Sequence, residues 1–112
     1  FSAALSQVGY HKARMIMRLE GLLQELEGSK GVNIRDPDRY YFTIFGTPGN
    51  GRWGLSIEGH HLSLNFVVEG ERVISSTPQV FAANPAIVKG TNASGTPAGT
   101  RPLEQEETLA FE

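Results

Sequence analysis

The opening stretch of the chain carries a helical rhythm of apolar positions. Met15, Leu19, Leu22 and Leu26 recur at spacings of four, three and four, and Ile16 and Leu23 widen the stripe, which predicts a helix from about Ser2 to Glu27. Lys12, Arg14, Arg18, Glu20, Gln24 and Glu25 fill much of the remainder, as a solvated face would. Gly9 and Gly21 weaken the helix by about 1 kcal/mol each relative to alanine. Gly28, Ser29, Lys30 and Gly31 are expected to end it, glycine being suited to a left-handed cap. Met15 and Met17 read as core filling.

Beyond a polar connector holding Asp36-Pro37-Asp38, the period changes. Tyr40 to Phe45 is aromatic and β-branched and predicts a strand; Gly46 to Gly51 is a loop, and Trp53 to Glu58 predicts a second strand. His61 to Glu69 gives a third, Gly70 a turn, and Arg72 to Ser76 a fourth. Such short connections favour an antiparallel meander with the amphipathic helix covering one face. Val80 to Val88, interrupted by Asn84-Pro85, is apolar and fits neither period. Lys89 to Thr100 is rich in Gly, Thr, Ser and Ala and predicts an exposed loop, and Pro102 suits the first turn of a second helix running on to Glu112. The expected fold is therefore α+β: an amphipathic N-terminal helix packed on a mainly antiparallel sheet of about four strands, with a second helix beginning at the C-terminus. Its parts would be residues 1–28 (helix), 39–76 (meander), 77–101 (irregular) and 102–112 (helix start).

The length of 112 residues, 39% of them hydrophobic, suffices for one domain with a modest core. The chain begins at Phe1 rather than Met and ends within a predicted helix, so it reads as a single domain or an excised portion of a longer one. A net charge of -2 with scattered Lys and Arg offers no stripe for a phosphate backbone, and nucleic acid is not an expected partner. No apolar run has the length of a membrane span, and no membrane partner is expected. The absence of cysteine excludes disulfides and thiolate metal sites and leaves the compartment open; oligomeric state is equally open.

Candidate chemistry concentrates in Trp53 to Val68, two strands joined at Gly59 that carry His60 and His61. If both histidines lie in a regular strand, His60 shares a face with Leu62, Leu64 and Phe66, and His61 with Ser63 and Asn65, so the two rings point apart. One metal could take both only through a bulge or bend at Gly59. The alternatives are a histidine packed at the end of an apolar face beside a solvated one, or a polar pocket lined by Glu58, His61, Ser63 and Asn65.

Other motifs carry less. Gly49-Asn50-Gly51-Arg52-Trp53-Gly54 spells the dinucleotide fingerprint, yet strand follows it where a helix N-terminus must face the pyrophosphate. Gly46 to Arg52 imitates a phosphate loop, but Arg52 and Trp53 replace its lysine and hydroxyl residue. Asn92-Ala93-Ser94 is a formal glycosylation sequon. Ser63 near His61 lacks a third group to orient a nucleophile and base. His11 reads as a surface histidine, the aromatic residues of the first strands as sheet core, and Glu104, Glu106 and Glu107 as a helix start favoured by the dipole.

Taken together, DPDRYYFTIFGTP, WGLSIEGHHLSLNFVV, TPQVFAANPAIV and RPLEQEE resemble the bacterial and fungal proteins grouped as domain of unknown function 3500. The resemblance covers roughly Gly9 to Glu107. Its most specific string is Glu58-Gly59-His60-His61-Leu62-Ser63-Leu64-Asn65, and its one departure is Ala82, where a glycine commonly precedes Ala-Asn-Pro. The positions carried over are Trp53, Glu58, Gly59, His60, His61, Ser63 and Asn65. Members are several-fold longer, and a later segment looks to contribute further histidines. The resemblance thus implies that Glu58, His60 and His61 form half of a metal or active site completed outside these residues.

Two function classes stay open. One is a metal-dependent enzyme, with a divalent transition metal on His60 and His61, Glu58 as ligand or general base, Asn65 orienting substrate or water, and Trp53 and Ser63 contacting a small-molecule substrate. The other is a non-catalytic ligand-binding or structural domain with the histidines in a hydrogen-bond network.

Overall fold

A computed structural model describes residues 2–28 and 34–112. It is α+β: an N-terminal helix, an antiparallel sheet of five strands and a C-terminal helix. Two compact units divide it, Arg39–Phe81 forming one and Phe1–Asp38 with Ala82–Glu112 the other.

The helical unit starts with a short 3-10 turn, Ser2–Ala4, followed by α1, Gln7–Glu27. Ser6 sets the start: its extended backbone and its hydroxyl, which accepts from the Gly9 amide at 3.1 Å, cap the helix four residues later than the pattern predicts. Gly28 ends it at φ 63°, donating its N–H to the Gln24 carbonyl, while Ser29, Lys30 and Gly31 lie outside the described residues. Ala13, Ile16, Leu19, Leu22 and Leu23 are buried, and Met15 and Met17 half-buried. The stripe differs from expectation at two places. Leu26 is 64% exposed, whereas Glu20 is buried at 5%. Glu20 and Glu27 lie near Arg35, whose guanidinium donates to both Glu27 carboxylate oxygens at 2.9 and 3.1 Å. The Glu27 hydrogen bond, and after it the Glu27 and Glu20 charges, hold the Arg35 pKa above its ordinary value against the opposing effect of burial.

Leu19 and Leu22 form a small core with Val88, against which Ala83 packs. Val88 is fixed there by the loop that follows it: its N–H donates to the Thr100 carbonyl at 2.9 Å and its own carbonyl accepts from Gly99 at 2.7 Å. Helix α2, Glu104–Phe111, begins two residues after the buried Pro102. Its first turn carries Glu104, Glu106 and Glu107, which suit the positive end of the helix. Lys12 pairs with Glu106 and Arg101 with Glu107.

The sheet unit is a meander: β1 Tyr40–Phe45, β2 Arg52–Gly59, β3 Leu62–Glu69 and β4 Arg72–Ser75, paired in that order and antiparallel. A fifth strand, β5 Gln79–Phe81, was not legible in the unassigned apolar run. It pairs with Leu62–Leu64 of β3, while β4 pairs with Val67–Glu69, so both share one edge of β3. Alternation sorts the side chains of β2 and β3. Ile57, Leu62, Leu64 and Phe66 are buried on one face; Glu58, Ser63, Asn65 and Val67, on the other, are half-buried or exposed.

Candidate functional site

The histidines are not strand residues. Gly59 closes β2 opposite Leu62, and His60 and His61 form the two-residue turn between β2 and β3. His61 has a φ of 61°, the only positive value outside glycine among the described residues. The L side chain pays for that left-handed backbone. Nor do the rings point apart: leaving the strand alternation lets them stack, centroids 3.8 Å apart and planes at 28°. The expectation of opposite faces fails because alternation stops at Gly59.

Gly59 itself answers to Tyr40. The two residues are register partners across β1 and β2, and a Cβ on residue 59 would lie 2.2 to 2.8 Å from three atoms of the Tyr40 ring. The ring therefore lies flat over the glycine, and its hydroxyl reaches on to donate to the His60 carbonyl at 2.8 Å. Glycine in Glu58-Gly59-His60-His61 is thus a packing requirement.

Could the pair hold a metal? An imidazole lone pair lies in the plane of its ring, and tetrahedral ligation needs convergent lone pairs about 2.0–2.1 Å from the ion. Rings stacked 3.8 Å apart hold their lone pairs in two nearly parallel planes that do not meet within bonding distance of both, so one must turn before both could bind a single ion. Among the described residues, no three His, Cys, Asp or Glu side chains gather as a metal-binding group.

The other predicted residues separate from the turn. Register places Glu58 opposite Ser63 and Ser56 opposite Asn65, all on the polar face, with Arg52 and Glu69 at its far end. Asn65 Nδ2 donates to the Pro78 carbonyl at 3.1 Å and the Ser63 hydroxyl at 3.3 Å. Ser63 is therefore a support for Asn65. Ser56 is 3% exposed, and its hydroxyl has no hydrogen-bond partner among the described residues. Arg52 Nε donates to Glu69 Oε1 at 2.9 Å.

Where the Thr77-Pro78 segment passes Asn65, a cleft of about 550 Å³ opens, lined by Phe45, Arg52, Gly54, Asn65, Val67 and Pro78 among others. Trp53 also lines it. Glu58, His60, His61 and Ser63 do not appear among its walls. At about 3.3 Å per strand residue, the five steps from Gly54 to Gly59 put the histidine turn roughly 17 Å from the cleft floor. The candidate residues within Trp53 to Val68 thus fall in two places, a cleft at one end of the β2–β3 hairpin and a histidine turn at the other. The Thr77-Pro78 wall was missed because it comes from a distant connection.

The discarded motifs resolve simply. The glycine string at Gly49 to Gly54 runs into β2 and no helix. Asn92 of the sequon donates from Nδ2 to the Thr96 carbonyl at 2.8 Å and accepts from Ser94 Oγ at 2.5 Å, which makes it the organiser of its own loop. His11 is exposed, edge-on to Tyr10. Among the described residues no helix is long and apolar enough to cross a membrane.

The fold defines an α+β protein with a five-stranded antiparallel sheet and an open cleft on the polar face of that sheet. The chain belongs to the DUF3500 family of proteins of unknown function, whose family model matches residues 1–112. No curated protein and no solved structure matches it.

Proposed function

We propose that this is a ligand-binding domain whose site is the cleft on the polar face of the sheet. The observation that carries the reading is the cleft itself. It has the size of a small-molecule site, mixes ring and aliphatic walls with a few polar groups, and holds its amide, Asn65, in one orientation through Pro78 and Ser63. A 15N-labelled sample titrated with a fragment library tests it. Shifts clustering on amides 45–46, 52–55, 65–67 and 77 are expected; shifts confined to other surfaces sink the reading.

A second reading is favoured by the backbone of His61. A left-handed, non-glycine residue beside a half-buried second histidine is a costly way to turn a hairpin, and such costs are tolerated at functional sites. On this reading His60 and His61 bind a divalent transition metal after one ring turns, with Glu58 as ligand or general base and further ligands from outside residues 1–112; Asn65, held in the cleft, takes no part. Elemental analysis of the full-length protein, purified without chelators, beside its His60→Ala and His61→Ala variants decides: a stoichiometric metal lost in folded variants supports it, and metal-free folded protein after dialysis against divalent ions removes it.

A further inference from the structure

The geometry points to a neutral carbohydrate as the ligand of the cleft, an inference that rests on the ligand-binding reading above. Its central feature is Phe45. A Cβ on Gly54 would sit 3.4 and 3.5 Å from Phe45 Cβ and Cδ2, so the phenyl ring leans across the glycine, yet Phe45 remains 59% exposed. It forms a shelf rather than a core residue. The partly negative face of an aromatic ring attracts the polarised C–H bonds that line one side of a pyranose.

The polar groups fit the edge of such a ring. Sugar hydroxyls both donate and accept, and are matched by planar side chains held in fixed orientation. Asn65 is held by two bonds through Nδ2, neither of which uses its Oδ1 acceptor. The Thr77 side of the cleft adds a hydroxyl residue.

Charge selects against the alternatives. Arg52 is the one ionisable side chain among the lining residues, and Glu69 neutralises it at 2.9 Å. Among the described lining residues no cluster of cations is gathered to hold a phosphate or carboxylate, so nucleotides and acidic metabolites are disfavoured relative to an uncharged polyol. The face also continues beyond the cleft. Tyr41 lies on the same side of β1 as Phe45, four residues away and 59% exposed, with Thr43 between them and opposite Ser56. Two aromatic shelves roughly 13 Å apart along a strand suit a chain of several sugar units.

The test titrates the 15N-labelled protein with neutral tetrasaccharides of glucose, xylose, mannose, galactose and N-acetylglucosamine, and in parallel with uncharged, anionic and aromatic non-sugar fragments. At least one tetrasaccharide should shift amides 45–46, 52–55, 65–67 and 77. Phe45→Ala should weaken it on the order of tenfold, the scale of one aromatic contact. Ile44→Ala, 55% exposed on the opposite face of the same strand, should leave it unchanged. Sugars that shift none of these amides, or bind equally well to Phe45→Ala, overturn the carbohydrate inference. If non-sugar fragments still shift the same amides the ligand-binding reading stands alone, and if nothing does, both fall.

Discussion

At the scale of single residues, the Glu58-Gly59-His60-His61 string separates into a packing part and a part the packing does not demand. Gly59 is demanded, because the Tyr40 ring occupies the space of its side chain. Gly59→Ala must push that ring off its position and disturb the hydroxyl bond to His60, and should cost about 1–3 kcal/mol in chemical denaturation. A loss under about 0.5 kcal/mol would show that the ring moves freely. His61 is the opposite case. Its left-handed backbone favours glycine, so His61→Gly relieves strain of about 1 kcal/mol at a slightly smaller cost in chain entropy. The expected result is an unchanged or slightly raised Tm. A drop equivalent to more than about 1 kcal/mol would mean that the stack on His60 holds the turn together.

At the scale of elements, β3 separates its two faces sharply. Leu64 is 0% exposed and Val67, on the other face, is 36% exposed. Leu64→Ala should therefore cost about 2–5 kcal/mol, while Val67→Ser should stay within about 0.5 kcal/mol, both read from urea midpoints at constant slope. Equal losses would contradict the assigned register. That register also explains what was legible beforehand. Two-residue alternation in Leu62–Glu69 and the aromatic, β-branched run Tyr40–Phe45 mark strands that carry their own signal, and α1 does the same with its 3.6-residue period. The three residues of β5 are too few to show a period, and Glu20 is buried on what looked like a solvated face because its surroundings include Arg35 from a later segment. The turn was read one step early, since Gly59 carries the sequence signal for a bend while the structure keeps Gly59 in β2 opposite Leu62 and turns at His60 and His61. Asn65 stood out in the sequence as a candidate, whereas the cleft it lines was not legible, because Pro78 approaches it only where β5 pairs with β3.

At the scale of the whole chain, the helical unit is assembled from segments that the entire sheet unit separates in sequence. Its cohesion cannot come from local propensity, and among the described residues several of the contacts that join the two segments are identifiable. Val88 packs with Leu19 and Leu22, the Ala93 amide donates to Glu25 Oε2 at 2.8 Å, and Lys12 pairs with Glu106. The ion pair is partly solvated and contributes little by comparison with the apolar contact. Val88 is 1% exposed, so removing two methyl groups from it should cost about 2 kcal/mol, most of it from lost burial and the remainder from the cavity. The loss should not stay local. If Val88 is the joint, Val88→Ala accelerates amide hydrogen exchange in Ile16 to Leu23 of α1 as well as in the loop from Lys89 to Thr100, because opening either segment exposes the same small core. Lys12→Ala should leave both rates nearly unchanged. Faster exchange confined to the loop would show instead that α1 is held by contacts other than Val88, and that the later segment merely rests against it.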